Sequence, residues 1–194
     1  MSYSPSQVKN LLFTIINEMT LKKDEFVERP GIDFSRRRKF PFEEMITTIL
    51  TMGGGSIDSE LLERFGFTRN TASASAFVQQ RSKLKPDSFR HLFRRLVEEL
   101  KDLKTFEGYR LLAFDGSDIH LSINPKDSTT YYETSGKRGY NLMHLNALYD
   151  LQNKIYLDAN LKPGKKQGER AALIEMIDRS KIEEKVLLLC DRGL

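Results

Sequence analysis

Apolar positions along the first hundred residues recur at helical spacing. Val8, Leu11, Leu12, Ile15, Ile16 and Met19 mark one amphipathic helix, with Ser6 placed to cap it. Pro30-Gly31 makes a loop, and Pro41 opens a second helix with Glu43 and Glu44 in its first turn, where the helix dipole favours acids. Met45, Ile46, Ile49, Leu50 and Met52 continue that helix until Gly53-Gly54-Gly55 stops it. Residues 56–84 read as helix-turn-helix: a short helix from Ser59 through Leu61, Leu62 and Phe65, a stop at Gly66, a cap at Thr68, and a second helix over 69–83. Pro86-Asp87 breaks the chain, and Phe89, Leu92, Phe93, Leu96 and Leu100 define a helix over 88–103.

Near Gly108 the period changes from helical to alternating. Strands are expected over 111–123, 141–149, 154–161 and 185–190, with a polar, turn-rich stretch at 125–138 and a helix over 168–180 carrying Ala171, Leu173, Ile174 and Ile177 inward. The last strand, Val186-Leu187-Leu188-Leu189-Cys190, is a continuous apolar run of the kind buried on both faces. The order strand, strand, strand, helix, strand lets the first three form a meander. The helix then crosses over and returns the fourth strand parallel to the first. The fold class is therefore α+β: a helical N-terminal domain, residues 1–107, followed by a partial ribonuclease-H-like core of β-β-β-α-β order, residues 108–194.

Two of these strands end alike. Asp115 follows Leu111-Leu112-Ala113-Phe114, and Asp191 follows the run that closes at Cys190. A buried strand ending in a carboxylate presents a hard oxygen ligand at a sheet edge, where Mg²⁺ and a phosphate can reach it. The two strands, if adjacent, bring Asp115 and Asp191 within bridging reach of one metal pair. Ser117 shares the face of Asp115, whereas Asp118, three residues on, faces the other way. Asp158 repeats the apolar-then-acid pattern but reads as an ordinary strand acid. His120 and His144 have no Cys or His partner at metal-ligand spacing, so the sequence offers no zinc site.

Composition sharpens this only slightly. The formal charge is +4, charged residues make up 30 % of the chain, and the hydrophobic fraction is 39 %. That mild excess leans toward a polyanion. The single cysteine, Cys190, excludes an internal disulfide, fits a reducing compartment, and reads as a core residue. The N-terminus lacks a signal pattern and no window is long enough to span a bilayer, so the expected location is cytoplasmic, with no membrane partner. Basic residues cluster at Arg36-Arg37-Arg38-Lys39 and across Arg81, Lys83, Lys85, Arg90, Arg94 and Arg95, with Asp87 the lone acid among the latter.

Ala113-Phe114-Asp115-Gly116-Ser117, Lys137-Arg138-Gly139-Tyr140 and Leu189-Cys190-Asp191-Arg192-Gly193 together resemble the DDE transposases of bacterial cut-and-paste insertion sequences. Thr71-Ala72-Ser73-Ala74-Ser75-Ala76-Phe77 and Arg81-Ser82-Lys83-Leu84 are similar to the N-terminal region of that branch, so the resemblance covers almost the whole chain. It implies Mg²⁺- or Mn²⁺-dependent cleavage and strand transfer on double-stranded DNA at transposon ends, in a bacterial, nucleoid-associated setting, with a homodimer possible on the DNA. Asp115 and Asp191 correspond to the first two catalytic, metal-binding acids. Arg69, Asn70, Arg81, Lys83, Lys137, Arg138 and Arg192 are the expected DNA contacts, and Lys165 and Lys166 are further basic candidates. Arg69 and Asn70, with Thr71, Ser73 and Ser75, stand near the start of the expected recognition helix.

The third acid of that family, a glutamate on a later helix, has no counterpart. The chain stops three residues after Asp191, and Glu169 and Glu175 precede the fourth strand and read as solvated helix positions. A chain truncated after the second aspartate is expected to be feeble or inactive in catalysis. Two other readings stand beside the enzyme. One is a DNA-binding or inhibitory protein without chemistry. The other is an aspartate-dependent phosphohydrolase, which needs an acid two residues after its nucleophile, where this chain has Ser117.

Overall fold

A computed structural model of the chain describes residues 3–36, 39–164 and 168–191. It divides into two compact units, Tyr3–Glu99 and a segment beginning at Leu100.

The first unit is helical: α1 (Pro5–Leu21), a 3-10 turn (Lys23–Glu25), α2 (Phe42–Thr51), α3 (Ile57–Arg64), α4 (Ala74–Arg81) and α5 (Asp87–Glu99). Ser4, rather than Ser6, caps α1. Proline suits the first helical position, and the Gln7 side chain bonds back to the Ser4 N–H while Ser4 Oγ accepts from the Gln7 N–H. Ser56 starts α3 ahead of the expected Ser59 because its Oγ accepts from the Ser59 N–H. The core draws on every helix, including Ile15, Ile16, Phe42, Met45, Ile46, Leu61, Phe77 and Leu92. Phe40 packs edge-on against both Phe65 and Phe77, with ring centroids 5.6 Å apart in each pair.

The expected second helix of the helix-turn-helix is shorter and later. Residues 65–73 form a loop, and α4 begins only at Ala74 with Ser73 as its cap. Local bonds hold the loop open: Thr71 donates its N–H and its hydroxyl to the Thr68 carbonyl, and Lys39 Nζ bonds the carbonyls of Asn70 (2.7 Å) and Thr71 (3.2 Å). Short polar side chains that satisfy the backbone in this way compete with a helix.

The second unit is a mixed sheet of five strands: β1 (Tyr109–Leu121), β2 (Tyr131–Thr134), β3 (Lys137–Asp150), β4 (Ile155–Pro163) and β5 (Lys185–Leu189), with α6 (Glu169–Asp178) between β4 and β5. β3 is central. It pairs antiparallel with β1 along one edge, and with β2 and then β4 along the other. β5 returns parallel to β1, with Tyr109 opposite Lys185 and Ala113 opposite Leu189. The meander, the helical crossover and the parallel return are those expected from the element order. β2 lies in the stretch expected to be turns. It is held as a hairpin through Gly136 (φ +70°), and Tyr131 lies across Gly139, where a Cβ would meet the tyrosine Oη at 2.2 Å.

Strand alternation sorts the sheet into two faces. Leu112, Phe114 and Leu148 are buried with Ala172 and Met176 of α6. The opposite face carries Leu111, Ala113, Leu145 and Ala147, flanked by Leu187 (51 % exposed) and Leu189 (47 %). The expectation that β5 is buried on both faces is therefore wrong. Among the described residues β5 pairs only with β1, and an apolar run at a sheet edge with one uncovered face stays accessible.

Candidate active site

Asp115 stands two residues past the last β1–β5 pair, Ala113 opposite Leu189, and Asp191 stands two residues past the same pair on the other chain segment. In a parallel ladder this is the equivalent position on each side; Asp115 belongs to the alternation class of the uncovered face, and Asp191 lies just past the end of β5. Both residues are exposed. Asp115 Oδ1 accepts the N–H of Gly116 at 2.8 Å, which steadies the side chain at the strand surface. Asp115 and Ser117 line a shallow groove of about 280 Å³, floored by Ala113, Leu145 and Ala147 and edged by Tyr149 and Tyr156. Cys190, between the end of β5 and Asp191, is exposed and not the core residue expected. Local desolvation still pushes its thiol above the ordinary value, away from thiolate chemistry.

The other face of β1 holds a second polar group. Asp118 Oδ1 lies 2.9 Å from His144 Nδ1, across the β1–β3 ladder in the register that pairs the two residues. Glu169, the first residue of α6, brings Oε1 to 3.6 Å from His144 Nε2. Glu175, further along α6, is held instead by Lys162 (2.7 Å) and Asn160 (2.7 Å), and the Lys162 bond draws its carboxyl below the usual range. Asp158 pairs with Arg179. His120 has its ring 6.0 Å from that of Tyr140. Among the described residues no three His, Cys, Asp or Glu side chains gather in a way that could hold a metal ion.

Of the expected DNA contacts, Arg69 and Asn70 are exposed but sit in the loop before α4, not on a recognition helix. Arg81 is exposed at the end of α4, its guanidinium 5.8 Å from the Phe77 ring centroid. Lys83 is half-buried and bonds Gln80 Oε1 at 2.7 Å. Lys137 and Arg138 are exposed at the start of β3. Arg192, like Arg37, Arg38, Lys165 and Lys166, lies outside the described residues. Part of the basic stretch is engaged within its own unit: Lys85 bonds the Glu25 carbonyl, Arg90 pairs with Asp87 at 2.8 Å, and Arg95 pairs with Glu99 at 2.8 Å.

The grouping of Asp118, His144 and Glu169 was not legible in the sequence, because 26 residues separate His144 from Asp118 and 25 separate it from Glu169. The available signal was indirect: a histidine at an inward position of an alternating strand has to find a polar partner.

No family model, curated protein or solved structure matches this chain.

Proposed function

We propose that the second unit is the DNA phosphoryl-transfer core of a DDE-type transposase, with a ribonuclease-H-like fold, and that the chain engages double-stranded DNA at transposon ends. The observation that carries this reading is the β1–β5 register, which runs two apolar strands side by side toward Asp115 and Asp191. Support also comes from the order β4-β3-β1-β5 with a helical crossover before the last strand.

Two exposed carboxylates with room for water fit Mg²⁺ or Mn²⁺, since small hard cations keep several waters and take one or two protein carboxylates. Asp115 and Asp191 would hold such an ion, whose charge neutralises the phosphate oxygens during in-line displacement. Ser117 Oγ lines the groove beside Asp115 and is placed to bond a phosphate oxygen or a water. Lys137 and Arg138 supply exposed cations for the DNA backbone. Arg36, Arg69, Arg81 and Arg94, all exposed, do the same in the helical unit.

One observation favours a second reading, a DNA-binding protein without chemistry: among the described residues no three His, Cys, Asp or Glu side chains gather as a metal-holding group, at Asp115 or elsewhere. A gel-shift and a nicking assay on the same inverted-repeat duplex separate the two. The enzyme reading expects a shift that weakens steeply with salt, with nicking in Mg²⁺ or Mn²⁺ that Asp115→Asn and Asp191→Asn each abolish. A salt-sensitive shift with no nicking supports the binder. Nicking that survives both substitutions, or no shift even at low salt, overturns the proposal.

A further inference from the structure

Beneath the first turn of α6, acceptor atoms meet with no donor between them. His144 has only 8 % of its side chain exposed, and its Nδ1 lies 2.9 Å from Asp118 Oδ1. A carboxylate accepts, so Nδ1 carries a proton, and in the neutral ring Nε2 presents a lone pair. That Nε2 is buried without a hydrogen-bond partner and faces Glu169 Oε1 at 3.6 Å, too far for a direct bond. Asn146 follows two residues along β3 on the same face; it is 1 % exposed, and its Oδ1 is also buried and unpartnered. Gly116 keeps the approach clear, because a Cβ there would stand 2.6 Å from His144 Nε2 and 2.9 Å from Glu169 Oε1.

A buried nitrogen without a partner and a carboxylate 3.6 Å from it are what a cation completes. We propose that this cluster binds a divalent first-row transition ion of the Zn²⁺ or Mn²⁺ class. His144 Nε2 and the Glu169 carboxylate are its protein ligands, and water fills the remainder. Two ligands each about 2.0–2.2 Å from a tetrahedral ion stand roughly 3.3–3.6 Å apart, which the Nε2–Oε1 separation matches. Asp118 is a positioning residue: its bond to Nδ1 fixes the tautomer and ring orientation, as carboxylates do for metal-bound histidines. The mixed nitrogen and oxygen set selects against Mg²⁺, which prefers all-oxygen surroundings. Asp115 lies on the opposite face of β1, so this site is separate from the Asp115–Asp191 pair. Its ion fastens the start of α6 to β1 and β3.

The test uses the full chain with Zn²⁺ titrated at neutral pH, read by calorimetry and by long-range ¹H–¹⁵N spectra of the three histidines. The expected result is one bound Zn²⁺ that shifts the His144 Nε2 resonance while those of His91 and His120 stay in place. Glu169→Gln, His144→Ala and Gly116→Ala should each weaken binding about tenfold or more, within the 10–100-fold range seen for metal-shell substitutions. Glu169 is 45 % exposed, so the glutamine variant keeps the fold if the histidine variant does not. A doubly substituted Asp115→Asn, Asp191→Asn chain should bind Zn²⁺ as before. An unmoved Nε2 resonance at saturating Zn²⁺ means that a water or a proton spans the gap, and overturns the proposal. Binding that survives Glu169→Gln, or that is lost in the doubly substituted chain, overturns it as well.

Discussion

Arg110 Nε and Nη2 both bond Asp150 Oδ2, at 2.8 and 2.5 Å, with the arginine side chain 5 % and the aspartate side chain 0 % exposed. The other Asp150 oxygen accepts the N–H and the side-chain amide of Asn153, both at 2.9 Å. Arg110 Nη1 also reaches Glu184 at 3.3 Å, so this buried pair ties β1 and the end of β3 to the segment entering β5.

Removing one half of such a pair leaves an uncompensated buried charge. Arg110→Ala is expected to destabilise the chain by about 3–5 kcal/mol in urea unfolding. Replacing Arg110 and Asp150 together by leucine should cost clearly less than the two single losses combined. Additive losses would show that the pair is not an energetic unit.

Glu60 makes the helical unit sensitive to acid. Its carboxylate accepts the N–H groups of Gly53 and Gly55, each at 2.9 Å, and those bonds hold its pKa below the ordinary 4.5. A group depressed in the folded state stabilises above its unfolded pKa, and loses that contribution as pH falls through the folded value. Stability should therefore decline on acidification below about pH 4.5, and Glu60→Gln should flatten that decline. Urea midpoints of both chains across the acid range provide the comparison. Parallel curves would assign the acid sensitivity to another carboxylate.

The uncovered side of β5 is an association hazard. Leu187 and Leu189 are 51 % and 47 % exposed on a strand paired along one edge among the described residues. Leu187→Lys should reduce concentration-dependent light scattering while changing unfolding free energy by no more than about 0.5 kcal/mol. Scattering that stays the same would locate self-association elsewhere.

Period and punctuation made most of the second unit legible. Leu111 to Phe114 and Val186 to Leu189 identified β1 and β5, Pro163-Gly164 marked the end of β4, and α6 was legible as a helix; its inward face was not, since Ala172 and Met176 are buried while Ala171, Ile174 and Ile177, expected inward, are exposed. What failed depended on bonds that sequence spacing does not encode. The 65–73 loop is held by Lys39 from thirty residues away, and β2 forms because Tyr131 has Gly139 to lie across. β5 looked doubly buried because an apolar run states preference, while burial needs a covering layer. The Asp115–Asp191 pair was readable as two strand endings, since one parallel register relates them. The His144 cluster was not, because its partners come from β1 and α6 at no fixed offset.

β1 outruns its parallel neighbour. At Leu112 and Ala113 it pairs on both edges; from Phe114 to Leu121 it pairs with β3 alone, among the described residues. Asp115 thus sits just past the point where β1 goes from two neighbours to one. A side chain so placed is rooted beyond the last rung of one ladder and looks out over an edge that the neighbouring strand leaves open.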